Sequence, residues 1–142
     1  MSSFKAFDIA GSGMAAQSVR LNTTASNLAN AESVSGDPAK VYKPRHPIFE
    51  AVRASMGTNP KDANANAAVK VSGIYESTAP ALARYEPGNP LANADGYVYA
   101  PSVNAVEEMV NMISASRSYQ NNVEVMNTSK DLLLATLRLG QG

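Results

Sequence analysis

The stretch NAVEEMVNMISASRSYQNNVEVMNTSKDLLLATLRL, Asn104–Leu139, decides the fold. With Met109 at position a of a heptad, the a and d positions are Met109, Met112, Ser116, Tyr119, Val123, Met126, Lys130, Leu133 and Leu137. This unbroken alternation of three and four residues marks a helix laid along another helix. Val106, Ile113 and Leu134 widen the apolar stripe, and neither proline nor glycine interrupts it. Asn104 followed by Glu107 reads as a capping box, and Glu107 and Glu108 place negative charge at the positive end of the helix dipole. Arg138 and then Gly140 read as the far end, with glycine suited to a left-handed cap. At 1.5 Å per residue the helix is roughly 54 Å long, more than the core of so small a domain can cover.

The faces beside the seam carry few charges. Asn, Ser, Thr, Gln and Ala dominate them, and such side chains can be buried when hydrogen-bonded, whereas a buried charge needs a partner. The composition therefore predicts protein contacts on more than one side. A second helical stretch, Phe4–Ala31, repeats Phe7, Met14, Leu21 and Leu28 every seven residues, with Ala10, Gly11, Ser18 and Ala25 between them. A seam of alternating large and small residues suits close approach of a partner helix. The expected fold is mainly α: long N- and C-terminal helices pairing as an antiparallel coiled-coil hairpin, with a small β-rich insert between them.

The boundaries expected from these patterns are 1–32 for the first helix, 33–101 for the insert and 102–142 for the second helix. Residues 33–40 read as loop. Val41–Val52 is extended but contains Pro44 and Pro47, which restricts it to an edge strand. Met56–Ala68 is polar and low in complexity, a flexible loop. Val69–Glu76 alternates like a strand, and Leu82–Glu86 reads as its partner across a turn at Pro80. Pro87–Pro90 and Asn93–Gly96 are turn signals, followed by a short strand at Tyr97–Ala100.

Composition excludes much. Twelve basic and twelve acidic residues leave no net charge in 142 residues, so nothing favours nucleic acid. Absence of cysteine excludes a disulfide framework and a thiolate metal site. The N-terminus lacks the apolar core of a secretory signal. The pattern Gly11-Ser12-Gly13-Met14-Ala15-Ala16 matches a dinucleotide fingerprint, but the polar residues after the helix supply no parallel strand ending in an acid. Two glycines in a helix, placed where a neighbour packs closely, account for it at about 1 kcal/mol each. His46 is the sole histidine and has no second ligand or acidic cluster near it in sequence. Aligning Gly96 with the glycine of a calcium loop puts Leu91 and Ser102 where acids are required. No catalytic, cofactor-binding or metal residue is expected, and no small-molecule substrate.

Several longer motifs point to a family. Leu21-Asn22-Thr23-Thr24-Ala25-Ser26-Asn27-Leu28-Ala29-Asn30 resembles the N-terminal signature of bacterial flagellar axial proteins. Phe7–Ser12, Tyr85–Val98 with Pro87, Asn93, Gly96 and Tyr97, Val106–Gln120 with Glu107 and Glu108, and Leu137–Gln141 resemble the short C-type branch of the proximal rod proteins of the basal body. The resemblance covers about three-quarters of the chain; Ser26 departs from a second Asn common at that position, and Met56–Ala68 matches nothing in the pattern. It implies a structural subunit of the periplasmic drive shaft that carries torque from motor to hook. It further implies export through the flagellar type III apparatus without a cleaved signal peptide. Implied partners are copies of itself, other rod proteins, the rod–ring adapter and the membrane-embedded ring. The rival reading from residues alone is a soluble coiled-coil binding module, an adapter or chaperone.

Overall fold

A computed structural model describes residues 2–53 and 67–140. Two long helices, α1 (Ser2–Ala29) and α2 (Ala105–Gly140), enclose in sequence four short strands: β1 (Arg45–Arg53), β2 (Ala67–Glu76), β3 (Leu82–Tyr85) and β4 (Tyr97–Ala100). Asn104 caps α2, its Oδ1 accepting the amides of Val106 and Glu107 at 3.1 and 3.3 Å, but the exposed Glu107 side chain makes no return bond to the Asn104 amide, so the expected capping box is only half formed. The far end differs from expectation. α2 runs through Gly140, and among the described residues the only glycine with positive φ is Gly96, at 80°. Gly140 therefore keeps helical backbone and does not take the expected left-handed cap.

The strands form two separate two-stranded sheets, β1 with β2 and β3 with β4. This corrects the expected pairing of Leu82–Glu86 with Val69–Glu76. The physical reason is turn closure. Between β3 and β4 the chain stitches itself shut: the Glu86 amide donates to the Gly96 carbonyl, and Asn93 exchanges backbone hydrogen bonds with Tyr97 and Gly96. The Asn93 Oδ1 also accepts from the amides of Asp95 and Tyr97. Gly96 occupies the left-handed region with Tyr85 and Pro87 against it, so only glycine fits without strain. Leu82 thus pairs with Ala100 and Tyr85 with Tyr97, and the two tyrosine rings meet edge to face at 5.2 Å. β1 keeps Pro47 because each strand of a two-stranded sheet is an edge. Of the expected loop Met56–Ala68, residues 56–66 lie outside the described residues, while Ala67 and Ala68 open β2.

The chain divides into two compact units, one of Met1–Val19, Ile48–Gly73 and Ser114–Gly142, the other of Arg20–Pro47 and Ile74–Ile113. In the first, Gly11 lies beside Met126 and Gly13 beside Asn122, so the α1 and α2 segments run antiparallel. The Ser12 hydroxyl accepts the Val69 amide at 3.1 Å, tying β2 to α1. In the second unit, residues 33–40 are more than the expected loop. Asp37 caps a single 3-10 turn at Pro38–Lys40, and Ser35 and Tyr99 exchange amide-to-carbonyl hydrogen bonds of 3.0 and 2.8 Å. Ser35 therefore pairs with the edge of β4 opposite β3.

Candidate functional site

The least exposed line along α2 is Glu108, Met112, Ala115, Tyr119, Asn122, Met126, Ser129 and Leu133. It shares Met112, Tyr119, Met126 and Leu133 with the apolar heptad and interleaves them with small or polar residues. Val123 is half-buried, whereas Met109, Lys130 and Leu137 are exposed. On α1 the buried residues are Ala10, Ala16, Thr23, Thr24 and Asn27, and Phe7, Met14, Leu21 and Leu28 are half-buried. The inward faces are consequently small and hydrogen-bonding. An ideal Cβ on Gly13 would stand 2.9 Å from the Asn122 amide nitrogen, which is the close approach expected of a helical glycine there. In the second unit Arg20 donates from Nη2 to Asn111 Oδ1 at 3.0 Å.

Gln17 is the loose tooth of this face: its Oε1 is buried with no hydrogen-bond partner among the described residues. Leaving such an acceptor unmade costs about 1–3 kcal/mol. Gln17→Leu, of similar size, is expected to raise the thermal midpoint of the purified chain, read by circular dichroism at 222 nm. An unchanged or lower midpoint would mean that water or a partner satisfies Gln17.

The N-terminal signature has a physical job at Asn27. This side chain is fully buried and uses both ends of its amide. Nδ2 donates to the Arg45 carbonyl at 2.9 Å, while Oδ1 accepts from the Arg45 amide and the Tyr42 hydroxyl, each at 2.9 Å. Ser26 Oγ lies 3.1 Å from the same Tyr42 oxygen. One carboxamide thus reads the backbone of Arg45 as a strand would, clamping the start of β1 to the end of α1. Asn30 ties off the helix through Nδ2 to the Ser26 carbonyl at 2.8 Å. Asn22 is exposed. Of the second signature, Asn93, Gly96, Pro87 and Tyr97 build the β3–β4 turn, Glu107 is exposed, and Glu108 is buried in the first turn of α2, where the dipole favours a carboxylate. Tyr42 completes the clamp, while Ser35 and Gly36 dock separately on Tyr99 and Leu91; only the turn character of Ser35-Gly36-Asp37 marks the latter two in the sequence.

Among the described residues no group of three or more His, Asp or Glu side chains could hold a metal, and no helix is long and apolar enough to cross a membrane. What the chain does present is apolar surface. Among the described residues the buried hydrophobic ones are Ala10, Ala16, Ala31, Val41, Val98, Ala100 and Ala115, none larger than valine, whereas twenty large hydrophobic residues are exposed.

Two family models match, one described as flagella basal body rod protein over residues 7–36, the other as flagellar basal body rod FlgEFG protein C-terminal over residues 94–139. They fall on the two helices and the β4 turn, and define the class: a structural subunit of the flagellar basal-body rod, not an enzyme. The flagellar basal-body rod protein FlgC of Salmonella typhimurium is 55% identical over 135 residues, 95% of this chain and 96% of that protein. FlgC of Yersinia enterocolitica is 50% identical over 141 residues, 99% of this chain and all of that one, and FlgC of Buchnera aphidicola from Schizaphis graminum is 43% identical over the same span. The chain belongs to the FlgC family of flagellar basal-body rod proteins. Relatives of this kind do not favour the soluble adapter reading.

Proposed function

We propose that the chain is a proximal rod subunit of the periplasmic drive shaft, transmitting torque from motor to hook. α1 and α2 pair as an antiparallel coiled coil whose outer faces are covered by neighbouring copies and by other rod proteins. The rod–ring adapter and the membrane-embedded ring are the remaining neighbours, and the subunit reaches them through the type III export apparatus without a cleaved signal peptide. The observation that carries this reading is the core of alanines and valines beneath a surface rich in exposed leucine, isoleucine and valine. Each large apolar side chain gains about 1.5–3 kcal/mol on full burial, so most of the available stabilisation is released only on assembly. Torsional stiffness then comes from many long parallel contacts and from no single strong bond.

Met126→Asp tests the reading by placing a carboxylate among half-buried side chains beside Gly11. An unpaired charge in such a place is strongly destabilising. Expected is export at the wild-type level with loss of the subunit from isolated basal bodies and loss of swimming in soft agar. Functional rods built from this variant would contradict the seam.

A further inference from the structure

In the second unit, Val106, Met109, Val110 and Ile113 share one face of α2 at helical spacing and are 65%, 45%, 61% and 55% exposed. Elsewhere in the same unit a groove of about 440 Å³ is lined by Pro38, Val41, Tyr42, Ala79, Pro80 and Tyr99, with Lys43 beside them. Pro38, Pro80 and Pro101 line it without an N–H, so that part of the lining can receive apolar side chains without stranding a donor. The charges are complementary. Glu107 flanks the helix stripe, Lys43 flanks the groove, both are exposed, and neither belongs to the ion pairs among the described residues, Lys40–Asp37 and Arg45–Glu76.

We propose that the Val106–Ile113 stripe of one copy seats in the Pro38–Tyr99 groove of the next, with Glu107 meeting Lys43. The proposal takes the contact as heterologous, the stripe of each copy entering the groove of the next, so that copies add head to tail. This inference rests on the rod-subunit reading and specifies which surfaces carry the contact between copies.

The chain has no cysteine, so introduced thiols report cleanly. A full-length chain carrying Val110→Cys and Ala79→Cys is expected to yield disulfide-linked oligomers when basal bodies are isolated and oxidised. In that background Glu107→Lys alone, or Lys43→Glu alone, is expected to abolish the oligomers, and the two together to restore them. Restoration by two changes in one polypeptide requires that the groove and the stripe come from copies of the same chain. Circular dichroism of each purified variant establishes that the charge changes leave the fold intact. Basal bodies that contain the chain yet give no oligomers, or adducts with a different rod protein, would overturn the docking and leave the rod reading standing. Basal bodies devoid of the unmodified chain would overturn both.

Discussion

Asn27→Leu is expected to free the start of β1 from the end of α1 while leaving both helices formed. Leucine has nearly the shape of asparagine but neither its donor nor its acceptor. The Arg45 amide and carbonyl, satisfied by the Asn27 carboxamide at 2.9 Å each, would lose their fully buried partner at a part-buried site. Two unsatisfied groups at about 1–3 kcal/mol each set an upper limit of about 2–6 kcal/mol, a large fraction of the stability of any small domain. Tyr42 loses less, because its hydroxyl still faces Ser26 Oγ. The Arg45–Glu76 ion pair, 2.9 Å long and about half exposed on both sides, is too solvated to compensate. Hydrogen exchange reads the result directly: the Arg45 amide should lose protection in the variant, with the α2 amides unchanged. Asn27→Asp separates the two ends of the carboxamide. It keeps the acceptor for the Arg45 amide but turns an acceptor, and a charge, on the Arg45 carbonyl. It should be at least as disruptive at neutral pH as leucine, and milder in acid, where the protonated carboxyl can donate. Equal protection of Arg45 in wild type and Asn27→Leu would remove the clamp from the explanation of the signature.

The helices were legible because their evidence is local. A run of 36 residues without proline, opened by Asn104 and the two glutamates, specifies α2 whatever surrounds it. Which side of α2 faces its own chain was not legible in the same way. Periodicity counts large apolar residues, but the line buried within the chain includes Glu108, Ala115, Asn122 and Ser129, while Val106, Val110, Ile113 and Leu132 point outward. A helix that meets neighbours on several sides carries superimposed stripes, and hydrophobicity alone cannot say which belongs to which contact. Strand pairing is not legible for a related reason. Alternation marks Val69–Glu76 and Leu82–Tyr85 as strands equally well, but the partner is chosen by which turn closes, and that is decided by Asn93 and Gly96 at the far end of β3. The role of Asn27 was visible only as part of a signature, since its partner is the backbone of a residue 18 positions away, and backbone groups leave no mark in the sequence.

Gly36→Ala is expected to detach residues 35–37 from the β3–β4 sheet, and it has a built-in control. A Cβ at Gly36 would stand 2.6 Å from the Leu91 carbonyl oxygen and 3.4 Å from the Asn93 amide nitrogen, so backbone must move. Neither side is free to do so. Ser35 is held to Tyr99 by two backbone hydrogen bonds, and Leu91 sits in a turn fixed by Asn89, whose Oδ1 accepts the Leu91 amide. Overpacking of this kind costs about 1–3 kcal/mol, and if the Ser35–Tyr99 pair is what gives way, the Tyr99 amide loses its acceptor as well. Gly88 lies in the same turn with nothing within 4 Å of its ideal Cβ and without a positive φ. Gly88→Ala should therefore be neutral or stabilising by about 0.4–1 kcal/mol, through the entropy of the unfolded chain. The two substitutions add the same methyl group to the same hairpin region, so their difference isolates the contact. Faster exchange at the Tyr99 amide and a lower thermal midpoint in Gly36→Ala, against no loss in Gly88→Ala, is the expected pair of results. A Gly36→Ala chain as stable as the Gly88→Ala chain would mean that the 33–40 segment does not dock on β4 and that the end of α1 is positioned by the Asn27 clamp alone.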